Sequence, residues 1–228
     1  MADYDVIIAG GGLAGTIAAQ SVSHYSNQGL KILVIDRNPS NLPGMKSIAG
    51  WVCGDAVSKE AVDFMSNRIK VNWSEPEIEH KVKGVMAFSP DRETSIPFDG
   101  AGYMLNRQVL PQRQNERTLA MGVDFDFEIN LTGLLYDGNQ VVGVQGIDYK
   151  TKTPYKKTAK VVIDATGMTS MLRNQISNTT KMERKVDRKD VESTGRHIMH
   201  FDQGEEDLTE FDENYCIIHL DQDIAPGG

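Results

Sequence analysis

The chain has 228 residues, enough for one large domain or two small ones with a proper core. Its 24 basic against 32 acidic side chains leave a net charge of −8, which argues against the basic face that a nucleic-acid-binding protein needs. The two cysteines, Cys53 and Cys216, stand far apart with no CxxC, so no disulfide framework and no zinc site is expected and the compartment reads as a reducing cytosol.

The opening "MADYDVIIAGGG" has no positively charged leader region, and glycines break its apolar run, so it reads as neither signal peptide nor membrane span. No later segment approaches the roughly 18 apolar residues that a span requires. "DVIIAG", Asp5 to Gly10, is a short β-branched run with the look of a buried parallel strand. It passes through "GGGLAG" into the helix-compatible "TIAAQSVSHYS", closed by Gly29, and then into a second buried strand, "KILVID", Lys31 to Asp36. Residues 4–36 therefore form a βαβ unit.

The loop "RNPSNLPGMKSIAG" is too rich in proline and glycine for regular structure. From Asp55 the pattern turns helical, with Asp55 placed to cap the helix. A hairpin is expected over about 82–98, turning at Pro90–Asp91, then a helix through "NRQVLPQRQNERTLAMG" ended by Gly122. Alternation over about 124–159, with a turn at Asp137–Gly138, predicts a three-stranded antiparallel meander. "VVIDATG", 161–167, returns as an apolar strand ending in small residues. The charged "KMERKVDRKDVESTGR" reads as solvated, "YCIIHL" as a strand, and the sequence ends at "DIAPGG".

The glycine loop carries the strongest chemical signal. Gly10, Gly12 and Gly15 stand in GxGxxG register between a strand and a helix. The first permits the tight turn, the second lets a pyrophosphate approach the backbone, and the third lets helix and strand pack closely. Asp36 ends the second strand about 20 residues on, where a carboxylate can accept hydrogen bonds from an adenosine ribose. This pattern predicts a dinucleotide site. The histidines form no HxxxH or HxH pair, so no metal ligand set is expected.

A single βαβ unit, an inserted hairpin and meander, and a returning strand that ends in Asp164-Ala165-Thr166-Gly167 resemble FAD-dependent oxidoreductases of the glutathione-reductase and p-hydroxybenzoate-hydroxylase type. The fold implied is α/β: an FAD-binding Rossmann-like domain over 1–178 with an inserted antiparallel meander, and the start of a β-rich substrate domain over 179–228. "YMLNRQVLPQR" is similar to the segment in which an arginine one turn into a helix contacts FAD, which points to Arg107, with a plain surface arginine as the alternative. The resemblance also places Leu13, Ala14, Arg37, Cys53, Gly54, Leu131, Ala165, Thr166 and Gly167 about the cofactor.

"PGMKSIAGWVCGDAV" and the terminal "DIAPGG" resemble archaeal geranylgeranyl reductases, the latter as the start of a Pro-Gly-Gly-Tyr-x-Trp-x-Phe-Pro motif. That likeness implies an FAD-dependent reductase of isoprenoid C=C bonds in ether lipids. It implies an isoprenoid lipid substrate, electrons from NAD(P)H or a ferredoxin, and transient contact with the membrane surface. Cys53 is then a small hydrophobe packed against the flavin or a proton donor or redox-active thiol beside it, with a buried inert thiol that belongs to no site as the remaining alternative. A monooxygenase or halogenase on the same fold is the first alternative reading. A non-catalytic FAD-binding fragment is the second, because the family's Gly-Asp motif of the C-terminal half is missing and the chain is expected to be truncated.

Overall fold

The computed structural model describes residues 2–42, 54–168, 171–176, 186–191 and 212–220. Along the chain the elements are β1 (Tyr4–Ala9), α1 (Leu13–Tyr25), β2 (Ile32–Ile35), β3 (Ala56–Ser58), α2 (Lys59–Ile69), β4 (Ile78–Phe88) and β5 (Ser95–Leu105). They continue with α3 (Leu110–Ala120), β6 (Asp124–Asp126), β7 (Ile129–Asp137), β8 (Gln140–Asp148), β9 (Pro154–Asp164) and β10 (Tyr215–His219). The chain divides into two units, Met1–Val52 with Arg107–Thr194 and Cys53–Asn106 with Gly195–Gly228.

The first unit is built on a six-stranded sheet in the order β6-β2-β1-β9-β8-β7. β1 lies parallel to both β2 and β9, with Val6 opposite Ile32 on one side and Val161 on the other. Its apolar run from Val6 to Ala9 follows from burial on both faces. Ile7, Ala9, Leu33 and Ile35 pack towards the meander against Leu131, Leu134, Val144, Ala159 and Leu172. Val6, Ile8, Ile32 and Val34 pack on the opposite side with Ala19 of α1 and with Val123. α1 is in turn tied to α3 by the buried Gln20, whose Nε2 donates to Thr118 Oγ1 at 2.8 Å and to the Gln114 carbonyl at 3.2 Å.

Two expected elements merge here. The third strand of the meander and the returning strand are both β9, antiparallel to β8 from Pro154 to Thr158 and parallel to β1 from Ala159 to Asp164. No glycine or proline lies between Tyr155 and Asp164 to interrupt it. The expected first stretch of the meander is also divided: β6 pairs parallel with β2, and Glu128, at φ 61°, turns the chain into β7.

The second unit is a four-stranded sheet in the order β10-β4-β5-β3. The expected hairpin is β4–β5, and β10 adds to it parallel to β4, so this hairpin joins the C-terminal strand and not the nucleotide-type sheet. The chain thus divides by interleaving, whereas two consecutive segments meeting at 178 were expected.

The cap of α2 also differs from expectation. Ala56–Ser58 are extended because they pair with Gly102–Met104 of β5, which carries the helix start past Asp55. Asp55 sits at φ 66°, and Ser58 is the N-cap, its hydroxyl accepting the Ala61 N–H at 3.2 Å. Ser58→Ala should lower stability by about 1 kcal/mol. Urea unfolding would show it as a lower midpoint with an unchanged m-value, and an unchanged midpoint would refute the cap.

Candidate functional site

The site is assembled where β1, β2 and β9 end. Gly10 donates its N–H to the Ile35 carbonyl at 2.8 Å, and Ala165 donates to the Ala9 carbonyl at 2.8 Å, so the glycine loop is pinned between two strand ends. Gly10 has φ 106°, and a Cβ there would lie 2.3 Å from the Ala165 carbonyl oxygen. At Gly15 a Cβ would lie 1.8 Å from the Gly10 carbonyl oxygen. These two glycines are therefore required by packing alone.

Gly12 is different. A Cβ there would meet no protein atom within 4 Å, yet Gly12 lines the cleft. It is the N-cap of α1, with no side-chain cap and no acidic residue in the first turn. α2 has both, in Ser58 and Glu60. The leading N–H groups of α1 lack intrahelical partners, and Gly12 brings the positive end of the helix dipole to the cleft. An uncapped, charge-free helix start beside open space is an anion cradle, and the diphosphate of FAD fits it.

Asp36 is buried against this loop. Its Oδ2 accepts the Gly11 N–H at 2.6 Å and its Oδ1 the Asn38 N–H at 2.7 Å. A carboxylate offers about four lone-pair directions, so holding the loop still leaves acceptors for ribose hydroxyls. On the far side of the cleft, Asp164 Oδ1 accepts the Thr166 N–H at 3.0 Å and the Thr166 hydroxyl at 2.6 Å. Its Oδ2 takes the Arg173 N–H at 2.9 Å. The Ala165–Gly167 turn, with Gly167 at φ 80°, is shaped by that carboxylate.

The cleft has a volume of about 210 Å³. Ligand pockets commonly run from roughly 300 Å³ upward, so this one suits one end of an extended dinucleotide. It brings together Gly10, Gly12, Asp36, Arg37 and Leu131 with the Ala165–Gly167 turn. Leu131 contributes through its backbone. Ile129 turns its N–H outward to the Asp36 carbonyl at 3.0 Å, and alternation along β7 turns the Leu131 peptide groups to the same edge. An edge strand with a donor and an acceptor facing the cleft can pair with the rim of a purine.

Other expected residues are placed elsewhere. Leu13 and Ala14 form the first turn of α1 and do not line the cleft, and Gly15 acts through packing. Arg107 precedes α3, which begins at Leu110 with Pro111 in its first turn, so it is not one turn into the helix. It is only 6% exposed, which excludes a plain surface arginine, and it is not among the cleft residues. Gly54 belongs to the second unit. Cys53 and the terminal "APGG" lie outside the described residues.

Sequence reasoning missed Asn38, Asn130 and Met171 on the cleft wall and the structural task of Asp164. Only Asp164 carried a signal, as part of a quoted motif. Nearby, the Tyr155 phenol donates to Asp126 Oδ2 at 2.5 Å. Burial first, and the Asp126 carboxylate next, push its pKa up, so it stays a proton-bearing structural group. Among the described residues no cluster of His, Cys, Asp and Glu is arranged to hold a metal ion.

Residues 5–207 match the family described as FAD dependent oxidoreductase. The chain is 33% identical to a digeranylgeranylglycerophospholipid reductase of Sulfolobus acidocaldarius over 99% of its own length and 46% of that protein's. It is 27% identical to the reductase of that name from Methanocella arvoryzae, over 99% of this chain and 52% of the other. The chain thus spans about half the length of the curated relatives it matches. Among solved structures, a geranylgeranyl bacteriochlorophyll reductase-like protein of Thermoplasma acidophilum superposes with a TM-score of 0.62 at 24% identity, covering 75% of this chain and 41% of that one. A myxobacterial FAD-dependent chondrochloren halogenase gives 0.59 at 17%, covering 75% and 38%. These two likenesses concern the fold.

Proposed function

From the premise that this chain belongs to the FAD dependent oxidoreductases, we propose that it is the FAD-holding portion of a reductase that saturates C=C bonds in the geranylgeranyl chains of ether lipids. The observation that carries this reading is the likeness, along 99% of the chain, to a digeranylgeranylglycerophospholipid reductase. The halogenase neighbour shares the fold at 17% identity and adds nothing about the reaction.

Bound FAD supplies hydride transfer at its isoalloxazine ring. The residues of this chain bind and orient. The first turn of α1 takes the diphosphate charge, Asp36 fixes the ribose while holding the glycine loop, and the Leu131 edge takes the purine. An isolated alkene develops no oxyanion, so this reaction depends on fixing the distance between ring and double bond and on keeping water out. A cofactor anchored at its adenosine end by rigid strand ends meets the first of those needs. The electron donor is proposed to be a nicotinamide or a ferredoxin, and the lipid substrate to be met at the membrane surface. Among the described residues no helix is long and apolar enough to cross a membrane.

The first test is the anaerobic visible spectrum of the purified chain during FAD addition. Structured flavin bands that bleach with dithionite are expected, followed by consumption of a geranylgeranyl ether lipid. Failure to take up FAD would sink the cofactor assignment. Turnover that requires O₂ and halide would instead establish the halogenase reading.

A further inference from the structure

We infer that Gln175 is a positioning residue for the adenosine end of the cofactor, a clamp that joins the two walls of the cleft. The inference rests on the FAD reading above. One wall is the start of β7, Ile129 to Leu131, and the other is the Ala165–Gly167 turn together with Met171. β7 is the edge of its sheet, so among the described residues no strand pairs with its outer side. Immediately beyond the cleft a side chain takes the place of that strand. Gln175 Nε2 donates to the Thr132 carbonyl at 2.9 Å, and its Oε1 accepts the Leu134 N–H at a longer 3.4 Å.

The same Nε2 lies 3.3 Å from the Met171 carbonyl oxygen, so one amide bridges β7 and the segment that carries a residue of the opposite wall. That segment is fastened at three further points. Asp164 Oδ2 holds the Arg173 N–H, Leu172 is buried in the core, and the Tyr136 hydroxyl donates to the Gln175 carbonyl at 2.9 Å. Asp164 meanwhile shapes the Thr166 turn. The separation between the Leu131 edge and the Thr166 turn is thus set by a strap with Asp164 at one end and Gln175 at the other.

The sequence of β7 makes room for the clamp. A Cβ at Gly133 would lie 3.1 Å from Gln175 Oε1 and 3.1 Å from Gln145 Nε2. Gln175 is itself exposed, so water can satisfy Thr132 and Leu134 when the amide is removed. Its loss should therefore be felt in the width of the cleft and much less in the fold.

The test is calorimetric titration of the purified chain and its variants with FAD and, separately, with ADP, which carries only the adenosine and diphosphate. Gln175→Ala should weaken both ligands by the same factor, roughly tenfold for two lost hydrogen bonds. The nucleotide-free melting temperature should move by less than about 2 °C, and the bound-flavin spectrum should be unchanged. Gly133→Ala displaces the amide without altering Gln175 and should give a similar loss, with the double variant no worse than either single one. Unchanged ADP affinity in Gln175→Ala, or losses that add in the double variant, would overturn the clamp. Wild-type chain that binds neither FAD nor ADP would overturn the cofactor reading, and this inference with it.

Discussion

Gly12→Ala should weaken FAD binding by at least about a hundredfold while leaving the nucleotide-free fold nearly as stable as the wild type. The new Cβ meets no protein atom within 4 Å, and Gly12 already has φ −72°, which alanine adopts without strain. Alanine is a poorer N-cap than glycine, at a cost of at most about 1 kcal/mol. What the methyl does meet is the space over the first turn of α1, where a diphosphate must come within hydrogen-bond distance of the backbone.

Gly15→Ala should behave in the opposite order. Its Cβ would stand 1.8 Å from the Gly10 carbonyl oxygen, and that backbone is pinned through Gly10 to Ile35 and lies against Ala165. Overpacking of this kind costs about 3 kcal/mol, because neither helix nor strand can give way cheaply. For a chain of this size the melting temperature should fall by roughly 6–12 °C before any ligand is added. Thermal unfolding paired with FAD titration separates the two outcomes. A Gly12→Ala chain that binds FAD normally would mean that no phosphate approaches α1. A Gly15→Ala chain as stable as wild type would mean that the helix does not pack this closely on the loop.

The glycine loop was legible because its constraints are local. Two close backbone approaches, at Gly10 and Gly15, and the open position at Gly12 fall within six residues, and the carboxylate that completes the pattern ends the next strand. The remainder of the cleft is made by side chains that reach backbone groups far along the chain, and such contacts leave no periodic trace. Asp164 taking the Arg173 N–H and Gln175 taking the β7 edge are both of this kind. Asp55 and Ser58 illustrate a different limit. Both residue types cap helices, and the choice between them was made by the pairing of Ala56–Ser58 with β5, some 45 residues away on the strength of backbone bonds that no local pattern encodes. The segment of β10 was likewise read as a strand, but nothing in it could say that its neighbour would be β4, from a hairpin read as part of another domain.

Asp36→Asn should damage stability and binding together, and this coupling distinguishes it from Gly12→Ala. Each oxygen of the carboxylate accepts a different backbone N–H, from Gly11 at 2.6 Å and from Asn38 at 2.7 Å. Asparagine has the same shape but only one acceptor oxygen. Whichever way its amide turns, its NH₂ faces one of those two donors, and a buried donor set against a donor costs about 1–3 kcal/mol. Space for adjustment is small, because a Cβ on Gly11 would already lie 2.8 Å from Asp36 Oδ2. Either Gly11 or Asn38 then loses the acceptor for its backbone N–H and the ribose loses a charged acceptor, so FAD affinity should fall by roughly a hundredfold. Urea unfolding without nucleotide, followed by FAD titration, measures both effects on one preparation. Loss of binding with unchanged stability would assign Asp36 to the ribose alone. Loss of stability with unchanged binding would make it a loop anchor that the cofactor never touches.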